Sequence, residues 1–209
     1  MIRNNMVYPK TKRISKTDFV WQITEKMDGS NLTFFKFDDD LYLATRNNVF
    51  NWTDEKPTSQ DIQYKGLFVW MENYSKLLYE KLNNHEALFG EWLGMGKIKY
   101  EDYFPQFNLF AYGYMHQNED GKFEEGYINR DLNKITDFLV EHDLNRDFIT
   151  VPFVDYTDSL SPDLIDWYYN KYRDEKAHEV EGFILTNLDS GEVRKYVRYK
   201  DGKMSEHWK

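Results

Sequence analysis

Lys26 closes a strand-like run over residues 18–23, and Met27-Asp28-Gly29 leads from it into a second run, residues 32–37. A lysine at a strand end can attack an electrophile once desolvation or neighbouring cations lower its pKa and free the amine lone pair. The same residues also read as a hairpin, because Asp-Gly is a strong turn signal. Four further features bear on the choice. Arg46 ends the next strand, and its planar fork of donors suits a phosphate or a ribose. Glu91 in Phe89-Gly90-Glu91-Trp92 and Glu181 in Val180-Glu181-Gly182-Phe183 are single acids in apolar runs. That placement is costly unless each acid meets a cation or hydrogen-bond donors. Arg194-Lys195-Tyr196-Val197-Arg198-Tyr199-Lys200 is a basic strand. Two buried acids and several cations fit a metal-bound polyphosphate, the acids holding the ion and the cations the phosphate oxygens. Taken singly, each acid also reads as half of a salt bridge.

Spacing then indicates the elements that must carry these groups. Residues 7–14 form an extended lead-in, with Pro9 keeping Tyr8 out of a helix. Strands are expected over 18–23, 32–37, 41–46, 87–93, 107–115, 151–156, 179–187 and 193–199. Leu67, Val69, Trp70, Tyr74, Leu77, Leu78 and Leu82 recur near helical spacing and predict a helix over 62–82. Residues 131–142 read as an amphipathic helix. Ser161-Pro162 sets an N-cap before a proline at the first helical position, opening a helix to about Arg173. Residues 51–60, with Pro57, read as a loop, Gly121 as a turn, and Asp189-Ser190-Gly191 as the turn between the last two strands. This interleaving predicts an α+β domain with a largely antiparallel sheet.

The chain has 209 residues, 18% of them aromatic, enough for a sizeable core, and one domain over 1–209 is expected. No long apolar run and no apolar leader at the N-terminus point to no membrane and a cytoplasmic location. The lack of cysteine excludes disulfides and thiolate metal sites. A net charge of -9 argues against indiscriminate nucleic-acid binding, but the charge is uneven. Arg3, Lys10, Lys12, Arg13 and Lys16 crowd the start, and Arg194, Lys195, Arg198, Lys200, Lys203 and Lys209 the end. Brought together, the two ends would make a basic surface for a polyanion; apart, they are solvated termini.

In order along the chain, Lys26-Met27-Asp28-Gly29, Phe89-Gly90-Glu91, Glu181-Gly182-Phe183 and the basic strand resemble motifs I, III, IV and V of the covalent nucleotidyltransferases. These are the ATP-dependent DNA and RNA ligases and the mRNA capping enzymes. Arg46 falls where the motif Ia arginine would. Asn31, five residues after the lysine, is similar to the asparagine of the RNA ligase 2-like branch. Phe107-Asn108-Leu109-Phe110 resembles motif IIIa, whose aromatic stacks on the purine, although Ala111 replaces the usual acid. Motif V usually has two lysines one residue apart. Here Val197 takes the second place after Lys195, while Arg198 and Lys200 form the alternating pair. Alternation puts Arg198 and Lys200 on one side and Lys195 on the other, and both assignments stay open.

The resemblance implies a nucleotidyltransferase (ATP-grasp-like) fold, with largely antiparallel sheets flanked by helices. It implies ATP, with AMP carried covalently on Lys26, and Mg²⁺ or Mn²⁺ held by Glu91 and Glu181. The implied nucleotide contacts are Glu25, Lys26, Asn31, Arg46, Glu91, Phe110, Lys195, Arg198 and Lys200. RNA bearing 5′-phosphate and 3′-hydroxyl ends is what would be joined. The oligonucleotide-binding fold and the helical C-terminal domain of larger ligases are not expected. The RNA would then be held by Tyr8-Pro9-Lys10, by the His207-Trp208 tail or by a separate substrate-binding protein. The competing expectations are a protein of this fold that binds ATP or RNA ends without reacting, and an RNA adenylyltransferase that does not seal.

Overall fold

The computed structural model describes residues 12–13, 20–53, 66–100, 109–116, 128–200 and 203–204. The strands are β1 (Lys12–Arg13), β2 (Trp21–Glu25), β3 (Ser30–Phe37), β4 (Asp40–Ala44), β5 (Val49–Asn51), β6 (Glu86–Trp92), β7 (Leu109–His116), β8 (Ile149–Thr150), β9 (Phe153–Thr157), β10 (Gly182–Asn187), β11 (Val193–Val197), β12 (Tyr199–Lys200) and β13 (Lys203–Met204). The helices are α1 (Leu67–Lys81), α2 (Leu132–Glu141) and α3 (Pro162–Asp174), and a 3₁₀ turn covers Leu93–Met95.

The strands make a five-stranded sheet in the order β1-β11-β10-β2-β9 and a six-stranded sheet in the order β5-β4-β3-β6-β7-β8, beside the small β12–β13 hairpin. Pairing is antiparallel except at β1–β11 and β7–β8. The expected α+β fold with largely antiparallel sheets and flanking helices is what forms. Among the described residues the chain passes between the two large sheets twice, at 26–29 and at 151–152. No helix among the described residues is long and apolar enough to cross a membrane.

Each sheet has its own apolar cover. Ile165 and Tyr169 of α3 pack on Trp21, Ile23, Phe183 and Leu185 of the five-stranded sheet. The Ser161 hydroxyl accepts from the Leu164 amide at 3.2 Å, with Pro162 just behind, so α3 starts where its capping residues place it. Leu67, Trp70, Met71 and Leu78 of α1 and Ile135, Phe138 and Leu139 of α2 pack with Leu32, Phe34 and Leu88 of the six-stranded sheet. Every residue of β2 is buried, the apolar Trp21 and Ile23 against α3. Gln22 and Thr24 alternate with them and line the gap between the sheets.

Three expectations change. The helix expected over 62–82 runs from Leu67 to Lys81, and residues 54–65 lie outside those described. Asn47-Asn48 does not simply end a strand; it turns a hairpin into β5, which enters the segment read as loop. Glu181 precedes β10 rather than lying within it, though its main-chain oxygen still accepts from the Arg198 amide at 2.9 Å. The lead-in at 7–11, Phe107-Asn108, the turn at Gly121 and the His207-Trp208 tail lie outside the described residues.

At the start of β6, Glu86 is buried and accepts from His142 Nε2 at 2.7 Å and from the Asn83 amide at 2.9 Å. The other ring nitrogen of His142 lies 2.9 Å from the Phe138 carbonyl, so both face acceptors and the ring suits an imidazolium. Burial pushes Glu86 up, but hydrogen bonds from His142 and Asn83 outweigh it and hold the carboxyl at about 2. The hydrogen bond to Glu86 raises His142 above its ordinary value, against its burial. The Glu86 contribution is therefore present above its unfolded value of 4.5 and lost as pH falls through about 2. That of His142 is present below 6.5 and lost as pH rises through its raised folded value. Glu86→Gln should cost about 3 kcal/mol between these limits, as expected on removing one partner of a buried pair. The loss should shrink towards strong acid, in denaturant melts taken across the pH range.

Candidate active site

Lys26 follows the last residue of β2, and its amide donates to the Gly182 carbonyl at 2.9 Å, which fixes its backbone against β10. Its Nζ reaches Glu181 Oε2 at 2.5 Å. Asn31 of β3 stands opposite Glu91 of β6, and its side-chain amide donates to Glu91 Oε2 at 2.6 Å. Lys26, Asn31 and Glu91 line a cleft of about 370 Å³ between the two sheets, and Glu181 reaches it through its bond to Lys26. The five-stranded sheet contributes two register rows, Thr24–Ile184–Lys195 and Gln22–Thr186–Val193. Asn31, Glu91 and Tyr112 line it from the six-stranded sheet, and Arg46, Arg130, Leu132 and Val151 complete the wall.

Four cations, Lys26, Arg46, Arg130 and Lys195, therefore line one cleft of an acidic protein. Burial pushes the Glu91 carboxyl up to about 7. The Lys26 charge and the Asn31 hydrogen bond oppose that rise, and the Glu181 and Asp28 charges add to it. The immediate partner of the Lys26 amine is a carboxylate, and the cation of the last strand in the same cleft is Lys195.

The Asp-Gly pair is not a hairpin, since β2 and β3 lie in different sheets. The Asp28 carboxylate accepts from the amides of Lys97 at 2.6 Å and Ile98 at 3.0 Å, and the Asp28 amide donates to the Tyr100 hydroxyl at 2.5 Å. A Cβ on Gly29 would come within 2.4 Å of the Trp92 carbonyl oxygen, so only glycine lets the crossover lie this close to β6.

Several expected contacts are placed elsewhere. The Glu25 backbone borders the cleft, but its carboxylate is fully buried against His178 and Tyr172 and presents nothing to a nucleotide. Adjacent residues at a strand end face opposite sides, so Glu25 and Lys26 cannot both reach in. Phe110 is fully buried in the core and is not part of the lining. A bulge shifts the β6–β7 register between Phe89–Gly113 and Gly90–Ala111, and Tyr112, the extra residue, reaches the cleft instead. The Arg130 guanidinium lies 5.1 Å over its ring.

Among the described side chains of the basic strand, that of Lys195 lines the cleft. Arg194 is buried on the opposite face, bonded to Glu192 at 3.0 Å and stacked 5.0 Å over Trp21. Arg198 lies off the cleft, with Nε 4.0 Å from an Asp166 carboxylate oxygen. The Lys200 side chain lies outside the described residues. Lys195→Met should slow any reaction on a bound phosphate about 10²-fold, the usual effect of losing one donor aimed at developing charge. Arg194→Met should leave the rate alone and lower the melting temperature.

Gln22, Thr24, Tyr112 and Arg130 were not anticipated as lining residues. The polar-apolar alternation of Trp21-Gln22-Ile23-Thr24 signalled the first two; nothing local signalled Arg130.

The donors here are all oxygen, the carboxylates of Glu91 and Glu181 beside the Asn31 amide, which suits Mg²⁺ or Mn²⁺. Among the described residues no cluster of three or more acidic, His or Cys side chains could hold a metal ion. A magnesium site commonly combines one or two carboxylates with substrate phosphates. The Glu91 carboxylate on the cleft wall and the Glu181 carboxylate beside Lys26 fit that arrangement.

Two mainly antiparallel sheets with flanking helices and a cleft between them make a domain of the nucleotidyltransferase type. The model of the RNA ligase family matches residues 19–200, and the chain belongs to that family. Among solved structures it is similar to an RNA ligase from Naegleria gruberi. A variant of that ligase without nucleotide aligns at 16% identity with a TM-score of 0.56, covering 86% of this chain and 49% of that one. Variants with ATP and Mn and with AMP and Mn align at 16% identity, with TM-scores of 0.56 and 0.55, each covering 86% of this chain and 50% of that one. The chain thus spans about half the length of these structures. No curated protein matches it.

Proposed function

We propose that this chain carries the adenylylation chemistry of an ATP-dependent RNA ligase, which joins 5′-phosphate and 3′-hydroxyl RNA ends. The observation that carries the reading is the Lys26 amine, bonded to Glu181, in a cleft it shares with Glu91, Lys195 and Arg46. The family match and the Naegleria ligase structures with ATP and Mn support it.

Lys26 Nζ bonds to the α-phosphorus as the bond to the bridging oxygen breaks and pyrophosphate leaves. Glu181 Oε2, at 2.5 Å, is the nearest base for the proton that the ammonium sheds before attack, and the second proton, lost as the N–P bond forms, leaves with pyrophosphate. Lys195 and Arg46 hold phosphate oxygens in line, because positioning and charge stabilisation dominate phosphoryl transfer. Tyr112, Val151 and Ile184 offer an apolar wall for the base. A divalent cation held by Glu91, Glu181 and phosphate oxygens would neutralise charge on the triphosphate. AMP then passes from Lys26 to the 5′-phosphate of an RNA, and a 3′-hydroxyl attacks that end and releases AMP.

Incubation with α-labelled ATP and Mg²⁺, followed by denaturing electrophoresis, should leave label on the protein, and GTP should not. A 5′-phosphorylated RNA added afterwards should take up the label and then be sealed. The absence of any covalent adduct would remove the proposal and leave a binding protein. Label that stops on the RNA would limit the activity to adenylylation.

A further inference from the structure

A second acid–base contact runs behind the cleft, beside the Lys26–Glu181 pair. The carboxylate of Glu25 and the ring of His178 are both sealed from solvent, with Glu25 Oε1 2.8 Å from His178 Nε2. The Tyr172 hydroxyl donates to the other carboxylate oxygen at 2.9 Å. One residue along, Lys26 pairs with Glu181. The end of β2 and the 178–181 segment are therefore joined by two crossed pairs. An acid of β2 meets a base on the core side, and a base next to β2 meets an acid on the cleft side. Tyr100 sets its ring edge-on to His178 at 4.8 Å, while its hydroxyl accepts from the Asp28 amide. The Lys26 residue is thus bracketed on both sides by groups tied to His178.

The two pairs meet different fates in the proposed reaction. When Nζ bonds phosphorus it loses its charge, and the tie to Glu181 goes with it. The Glu25 pair has no exposed atom for a nucleotide to displace. Without His178 a carboxylate would be left buried and short of its partner, which a strand end relieves by moving. A displacement of about 1 Å in a reacting group costs about 10²-fold in rate.

We propose that Glu25 and His178, completed by Tyr172 and Tyr100, form the positioning network of Lys26. They hold the end of β2 on the 178–182 segment while the cleft-side pair is broken. Glu25 thus serves the reaction from behind the nucleophile and not as a nucleotide contact. This rests on the adenylylation reading.

The test uses the full chain with His178→Ala and with His178→Gln, whose amide can still donate to Glu25. Single-turnover adduct formation is followed over a range of ATP concentrations, and exchange of the Lys26 amide hydrogen is followed without nucleotide. His178→Ala should lower the maximal rate about 10²-fold with the half-saturating ATP unchanged, and His178→Gln should restore most of it. The Lys26 amide should exchange faster in His178→Ala while amides of the β3–β6 ladder stay protected. An unchanged maximal rate overturns the proposal. So does a raised half-saturating ATP at full rate, which would make this group a nucleotide contact. If His178→Ala does not fold, Tyr172→Phe carries the same readings, and no change in either overturns the proposal. If the wild-type chain makes no adduct, the adenylylation reading fails, and the exchange measurement alone still shows whether the pair holds the strand end.

Discussion

Lys26→Ala folds and takes up no label from α-labelled ATP. Removing the nucleophile of a covalent mechanism leaves no second route to the adduct, so the expected loss exceeds about 10⁴-fold. Lys26→Arg answers the objection that alanine also removes a charge beside Glu181. The guanidinium keeps the charge and can still bond the carboxylate, but it does not give up its proton and cannot attack. Both variants should be silent, and the arginine form should melt close to the wild type. Label retained on either protein would place the nucleophile elsewhere.

Glu91→Gln should make the protein more stable and less active at the same pH. In the folded chain burial holds the Glu91 carboxyl at about 7, against its ordinary 4.5. The folded value is the higher, so the unfolded chain ionises first. Stability is full below about 4.5, falls as pH climbs to about 7, and levels off above. The loss totals about 3 kcal/mol for a shift of this size. Glutamine can still accept from the Asn31 amide and carries no charge, so that slope should vanish in the variant. At pH 8 the variant should gain up to about 3 kcal/mol in denaturant melts. Adduct formation should drop about 10²-fold, since a neutral amide binds a divalent cation poorly and leaves the cleft short of one acid. A variant with the wild-type slope would mean that Glu91 is not the group held near neutrality.

The parts of this fold that the sequence announced are those with a local cause. Ser161-Pro162 starts α3 because cap and proline act within one turn. Leu67 to Lys81 is helical on the strength of its own apolar stripe. Glu91 and Glu181 could be singled out because a charge among apolar neighbours needs a reason, and Lys26 because it ends a strand before Asp-Gly. The failures are contacts that only the assembled sheets create. Asp28-Gly29 has the composition of a hairpin turn, and nothing near it says that the two flanking strands join different sheets. Phe110 and Tyr112 exchange expected places through one extra residue in β7, which no periodicity foretells. Alternation set Lys195 and Arg198 on opposite sides, as they are, but could not say which of the two sides is the cleft. Arg130 and Val151 come to the cleft from parts of the chain with no pattern of their own to read.

Among the described residues, 26–29 are one of two passages between the sheets, and they also carry the amine proposed to react. The proposed nucleophile is therefore mounted where the chain leaves one leaf for the other, with its own backbone still bolted to the first. A loosened joint would reach the warhead's mounting before it reached either leaf.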